Sequence, residues 1–265
     1  MTIIDEPGIE YELRDQILHR IDQHERAHTR NHQTAVGPSE IGHPCDRRLA
    51  YRALNIEAAN DEGGARWYPI IGTAVHAWLA DAFGGHEGAV AEQRVHINHW
   101  LSGTGDLWLP DHGGIVLDWK IVGNAALKKY KEDGPGEQYR RQGHLYGVGW
   151  LRQGKPVAHV AIAFLPRANR LNQAYIWTEP MNVILAAETV TRYDTIAEIA
   201  ITAGPAVLPL IPTADASCEW CPFYMPAVTD TTLACPGHAV SHLPRTAQAA
   251  AVPAEPGPTQ EGPNP

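Results

Sequence analysis

Long apolar runs are missing from this chain: nowhere do 18 uninterrupted apolar residues occur, which excludes a membrane-spanning helix. The first sixteen residues carry acids and no apolar stretch, unlike a signal peptide. An intracellular, soluble, cytoplasmic protein is therefore expected, with no membrane partner. Cysteine is scarce, four in 265 residues, and a reducing compartment makes a disulfide framework a poor account of them. Metal binding or redox chemistry remains. Positive charge is short too. The formal net charge of -9 argues against nonspecific coating of nucleic acid and leaves room only for a local basic groove. The chain has five lysines, and four of them (Lys120, Lys128, Lys129, Lys131) fall within twelve residues, with Arg140 and Arg141 shortly after. That cluster is the candidate groove, against the ordinary reading of a solvated charge run.

What is present organises into segments. Ile9, Leu13, Ile17 and Ile21 recur at helical spacing among charges, and residues 1–38 read as a helical segment. A second helix, capped by Ser39, carries Ile41, Cys45, Leu49 and Tyr51, with Arg47, Arg48 and Arg52 on its other faces. After a turn at Gly63-Gly64, a third helix runs from Ile70 to Phe83 with His76 in its middle. From Glu92 the period becomes two, giving three strands in an antiparallel meander: one with Val95 and Ile97, then Gly103 to Leu109 and Gly114 to Val122. Lys128 to Gly136 reads as a polar loop, Glu137 to Arg152 as a helix, Val157 to Leu165 and Ala174 to Trp177 as strands, and Met181 to Thr202 as a long helix. A proline-rich connector leads to the cysteine segment. From residue 241 to 265 large apolar side chains nearly vanish, so a disordered tail is expected there.

Within the strand from Gly114 to Val122, alternation puts Asp118 and Lys120 on one face. Asp106 lies on the preceding strand, where a short hairpin would bring its carboxylate beside Asp118. Two such carboxylates repel unless a cation neutralises them, and oxygen ligands favour Mg2+ or Mn2+. Such a cation suits phosphodiester hydrolysis, with Lys120 beside the developing negative charge. His76 is placed to complete the shell, although a lone helix histidine is more often structural. Gln142 and Tyr146, four apart, share a helix face.

Taken in order, Gly72-Thr-Ala-Val-His76, Gly105-Asp106, Asp118-Trp-Lys120 and Gln142-x-x-x-Tyr146 resemble the RecB-like branch of the PD-(D/E)XK nuclease superfamily. The resemblance implies an α/β restriction-endonuclease-like core, a mixed sheet flanked by helices. It implies that His76, Asp106, Asp118 and the Trp119 carbonyl bind metal. Lys120 becomes the catalytic lysine, and Gln142 and Tyr146 orient the DNA or the metal shell. Glu92 resembles an acid often found before the meander, with a structural role slightly favoured.

Cys45 stands alone, while Cys218, Cys221 and Cys235 crowd near the end, so whatever they hold pins the two ends together. Four thiolates suit tetrahedral zinc or an iron-sulfur cluster. This pattern resembles the iron-sulfur nucleases of the same branch, including the AddB nuclease domain and the CRISPR-associated protein four family. It implies a [4Fe-4S] cluster, with zinc as the alternative, in a subdomain joining the terminal segments of a nuclease domain at 39–240. The thirteen residues between Cys221 and Cys235 make Cys235 the weakest of the ligands.

The function expected is a metal-dependent DNA exonuclease acting at ends or on single strands. Arg47, Arg48, Lys128, Lys129 and Lys131 are candidates for backbone contacts, and Trp67 or Tyr130 for stacking a base. The competing reading is a DNA-end-binding accessory module serving recombination or integration proteins, without cleavage of its own. Similar chains occur in CRISPR adaptation, in repair and in bacteriophage genomes.

Overall fold

A computed structural model describes residues 9–27, 36–60 and 67–238. The expected tail at 241–265, the Gly63-Gly64 turn and parts of the 1–38 segment lie outside these residues. The described elements are α1 (Ile9–Arg26), α2 (Pro38–Ile41), α3 (Asp46–Ala53), α4 (Trp67–Phe83), β1 (Val90–His96), β2 (Ser102–Leu109) and β3 (Ile115–Val122). They continue with α5 (Asn124–Asp133), α6 (Gly136–Arg152), β4 (His159–Pro166), β5 (Tyr175–Pro180) and α7 (Val183–Ala203). None of the described helices is long and apolar enough to cross a membrane.

The five strands form one mixed sheet in sequence order. β1, β2 and β3 make the antiparallel meander, β4 lies parallel to β3 with Asp118 opposite Ile162, and β5 returns antiparallel. The parallel step requires a crossover, which α5 and α6 supply. Helices cover both faces. Alternation along β3 sends Val116 into the core shared with Leu145 and Trp150 of α6. Leu117 and Trp119 pack on the opposite face with Leu79, Val75 and Phe83 of α4. α6 lies close to the sheet because its glycines permit it: a Cβ at Gly149 would meet Val95 at 2.6 Å.

Two sequence expectations fail locally. The helix expected from Ser39 is broken into α2 and α3, with Cys45 at the N-cap of α3. Pro44 explains the break, since it donates no hydrogen bond and disfavours helix at the residue before it. The lysine-bearing segment is not a loop. Lys128, Lys129 and Lys131 are on α5, whose Leu127 and Tyr130 pack against Ile162 and Phe164 and which ends at Gly134, φ +77°.

Candidate active site

The β2–β3 ladder stops early. Leu107 faces Leu117, but the next position, where Asp106 would face Asp118, is not paired. The Asp106 side chain takes over from the ladder instead: Oδ2 accepts the Trp119 backbone N–H at 2.8 Å. On the other side of the same residue, His76 Nε2 of α4 lies 3.1 Å from the Trp119 carbonyl oxygen. His76 Nδ1 is 3.5 Å from Asp106 Oδ1 and 3.9 Å from Glu92 Oε1.

Glu92 enters through a backbone distortion. It has φ +49° in the middle of β1, a left-handed conformation that is strained for a side chain of this type. Regular alternation would put Ala91 and Val95 on one face. Ala91 packs with the α4-side core and Val95 with the α6-side core, so the strand reverses its faces at Glu92. One ligand atom each from His76, Glu92 and Asp106 thereby falls within 4.8 Å of the others. The compact donor set includes Glu92, which the sequence assigned weakly to structure.

Asp118 sits deeper, 4% exposed. Gln142 Nε2 donates to its Oδ1 at 2.6 Å, and Lys120 Nζ stands 2.5 Å from its Oδ2. Lys120 thus pairs with Oδ2, whereas Gln142 Oε1 has no hydrogen-bond partner among the described residues. Burial raises the Asp118 carboxyl to about 6, against the pull of Lys120, and Asp106 adds to the rise. Burial pushes His76 down, but its hydrogen bond and charge interaction with Asp106 outweigh this and its pKa is raised. The Lys120 ammonium also lies 4.7 Å from the Tyr139 ring centre.

These residues fit a hard divalent cation. One imidazole nitrogen and two carboxylates converge, beside a third carboxylate, Asp118, whose pKa burial raises. Tyr146 is one turn beyond Gln142 but is buried under β2, where a Cβ on Gly103 would meet its hydroxyl at 2.9 Å. Its position is next to the sheet, not at the Asp118 carboxylate contact made by Gln142. Sequence reading also missed a knot that fixes α6. Fully buried His144 places Nε2 2.5 Å from Glu179 Oε1, and Arg140 Nε bonds the same carboxylate at 2.8 Å. Arg140 and Arg141 are therefore engaged with Glu179 and Glu137.

The four cysteines are free thiols lining one small cavity of about 20 Å³, together with His43 and His238. Two backbone donors aim at sulfur: Gly237 N–H at Cys235 Sγ, 3.4 Å, and His238 N–H at Cys218 Sγ, 3.3 Å. His43 Nδ1 accepts the Cys45 N–H at 3.1 Å, and burial, with Arg48 and Arg192 behind it, lowers its pKa to about 3. Burial raises the Cys221 and Cys235 thiols.

The cavity walls are tied by side chains reaching carbonyls. Arg47 Nε and Nη2 bond Ile211 O at 2.9 Å and Pro209 O at 3.0 Å, so Arg47, expected on DNA, is a clasp within the protein. Arg48 lies close enough to His43 and Cys221 to affect their charge, beside the cavity. Tyr51 bonds Ala234 O at 2.7 Å and also Thr231 O. Of the expected DNA contacts, Lys128, Lys129 and Lys131 are exposed. Tyr130 is half-buried, with one ring face stacked on Phe164, centroids 4.2 Å apart.

No protein-family model matches the chain, and no curated protein does. Among solved structures, it is similar to an alkaline exonuclease from Laribacter hongkongensis at 12% identity and a TM-score of 0.45, over 64% of this chain and 91% of that one. A phage-related exonuclease from Haemophilus somnus 129PT is similar at 13% identity and a TM-score of 0.41, over 60% and 81%. The structure of SSO0001 is similar at 14% identity and a TM-score of 0.42, over 80% and 94%. Likeness at this distance leaves the chemistry to be argued from the site itself.

Proposed function

We propose that this chain is a divalent-metal-dependent DNA exonuclease of the restriction-endonuclease-like type, with a [4Fe-4S] cluster as a structural centre. The observation that carries the hydrolytic reading is the convergence of His76, Glu92 and Asp106 within 4.8 Å beside the buried Asp118, Lys120 and Gln142. Mg2+ or Mn2+ bound by these side chains, with the Trp119 carbonyl, would polarise a phosphoryl oxygen and lower the pKa of a water.

The remaining work falls to the chain. Gln142 holds the Asp118 carboxylate in one orientation, and its own Oε1 is left as a buried acceptor able to orient a water. Lys120 keeps a positive charge beside the place where the phosphate oxygens gain negative charge. Asp106 holds the Trp119 peptide and His76 together, so the donors are aimed before substrate arrives.

For the cysteines, the cluster rests on their resemblance to the iron-sulfur nucleases, with tetrahedral zinc as the alternative. Four thiolates and two N–H donors to sulfur suit a polynuclear centre.

Degradation of an end-labelled single strand with Mn2+ or Mg2+, lost in Asp118→Ala and Lys120→Ala, is the expected result. Binding without cleavage under any divalent metal would replace the exonuclease with the accessory module. Anaerobic purification with iron, sulfide and zinc measured on one sample tests the centre: about four irons per chain are expected, and one zinc with no iron would overturn the cluster.

A further inference from the structure

The outer side of α4 is unusual. The helix has no lysine or arginine, yet Leu79 is its single buried residue, and its first two residues, Trp67 and Tyr68, are 58% and 63% exposed. Adjacent large aromatics left in water mark a contact surface more often than a scattered apolar residue does. The Arg167 guanidinium stands 3.9 Å over the Tyr68 ring centre. Arg167 follows β4, and its N–H donates to Val122 O at 2.8 Å, two residues beyond Lys120 on β3. Along a strand that is roughly 6.6 Å. His76 is eight residues from Tyr68 on α4, roughly 12 Å along the axis. α5 starts just past Gly123, which itself abuts Arg167, and its exposed lysines begin five residues on, at Lys128.

We propose that Trp67, Tyr68 and Arg167 form a platform for a single-stranded nucleic acid: bases stack on the two rings, and Arg167 meets the phosphate between them and the metal site. The strand is identified by its chemistry, flat apolar faces joined by anionic links, which is what two exposed rings and an interposed guanidinium complement. The platform rests on the hydrolytic reading only in where the strand leads. It lies just past the end of the strand that bears Asp118 and Lys120, so a strand stacked there has its next phosphate directed toward the site.

The test is fluorescence anisotropy of a labelled single-stranded oligonucleotide with the full chain in Ca2+. Trp67→Ala and Tyr68→Ala each weaken binding by about 5- to 100-fold, the range for stacking one base. Tyr68→Phe restores it. Arg167→Ala weakens binding less and lowers the slope of log K against log salt by about 0.7. Ile184→Ala, a 67% exposed apolar residue on α7, leaves affinity unchanged. Unchanged affinity and slope in the three platform variants would overturn the proposal and point to a protein partner; so would an equal loss in Ile184→Ala. Hydrolysis of bis(4-nitrophenyl) phosphate by the unaltered chain with Mn2+ is measured in parallel. Its absence would sink the hydrolytic reading, while the anisotropy still decides the platform.

Discussion

The two candidate metal sites are built in opposite ways. The hard site draws on α4, α6 and three neighbouring strands, within residues 76–142, and its donors converge on a sheet that exists without them. The cysteine cavity draws on residues 43–45 and 213–238, far apart in sequence, and its walls are joined by Arg47, Tyr51 and Arg192 reaching backbone carbonyls. One site is placed by a scaffold. The other is itself part of the scaffold, so removing what it holds should cost folding before chemistry.

Breaking that contrast begins with the cysteines. Cys218→Ala removes one of four ligands, and loss of the centre they hold releases a closed loop of well over a hundred residues, worth roughly 4 to 5 kcal/mol on chain-entropy grounds, comparable to much of a domain's stability. The expected outcome is insoluble or non-cooperatively melting protein. Soluble, cooperatively folded Cys218→Ala would put the cavity on the same footing as the hard site.

The hard site should behave the other way. Asp118→Ala and Lys120→Ala are expected to lower DNA hydrolysis by about 100- to 1,000-fold with the melting transition intact. Next in size, Glu92→Gln should weaken activation by Mn2+ by about 10-fold or more, read as the metal concentration for half-maximal rate. An unchanged metal requirement would return Glu92 to a structural role.

A smaller effect sharpens the comparison through pH. Asp118 has its folded pKa raised to about 6 from 3.8, so the native state holds a proton that the unfolded chain has released. Its contribution to stability is full below about pH 4 and is lost as pH rises through about 6. The metal-free protein should therefore lose this contribution between about pH 4 and 6, whereas Asp118→Asn should not. Activity runs oppositely, falling in acid as the carboxylate takes up its proton, and a bound cation moves that fall below pH 6. An acid limb of the rate profile unchanged by the metal concentration would separate Asp118 from the metal.

Much of this was legible in the chain because its signals are local. Period-two alternation placed Asp118 and Lys120 on one face, and that contact is present. Helical spacing only paired Gln142 with Tyr146; the family resemblance brought Gln142 to the site, where it bonds Asp118. Glu92 was underweighted because its role depends on one left-handed residue reversing the faces of β1, which no alternation pattern records. Arg47 looked like a DNA contact because its partners are backbone. Prolines at 205, 209 and 212 remove N–H donors from the connector and leave carbonyls to be satisfied, and Arg47 satisfies two nearby. α5 was hidden by its charges, with only Leu127 and Tyr130 marking its buried side.

Trp119 has a divided allegiance. Its indole is packed in the core, 5.4 Å from the ring of Phe83, while its N–H and carbonyl meet Asp106 and His76. No side-chain replacement can delete those backbone groups; it can only re-aim them. At this position catalysis would be sensitive to shape and not to functional group, and a repacked core, with every acid, base and ligand still in place, would be enough to detune the reaction.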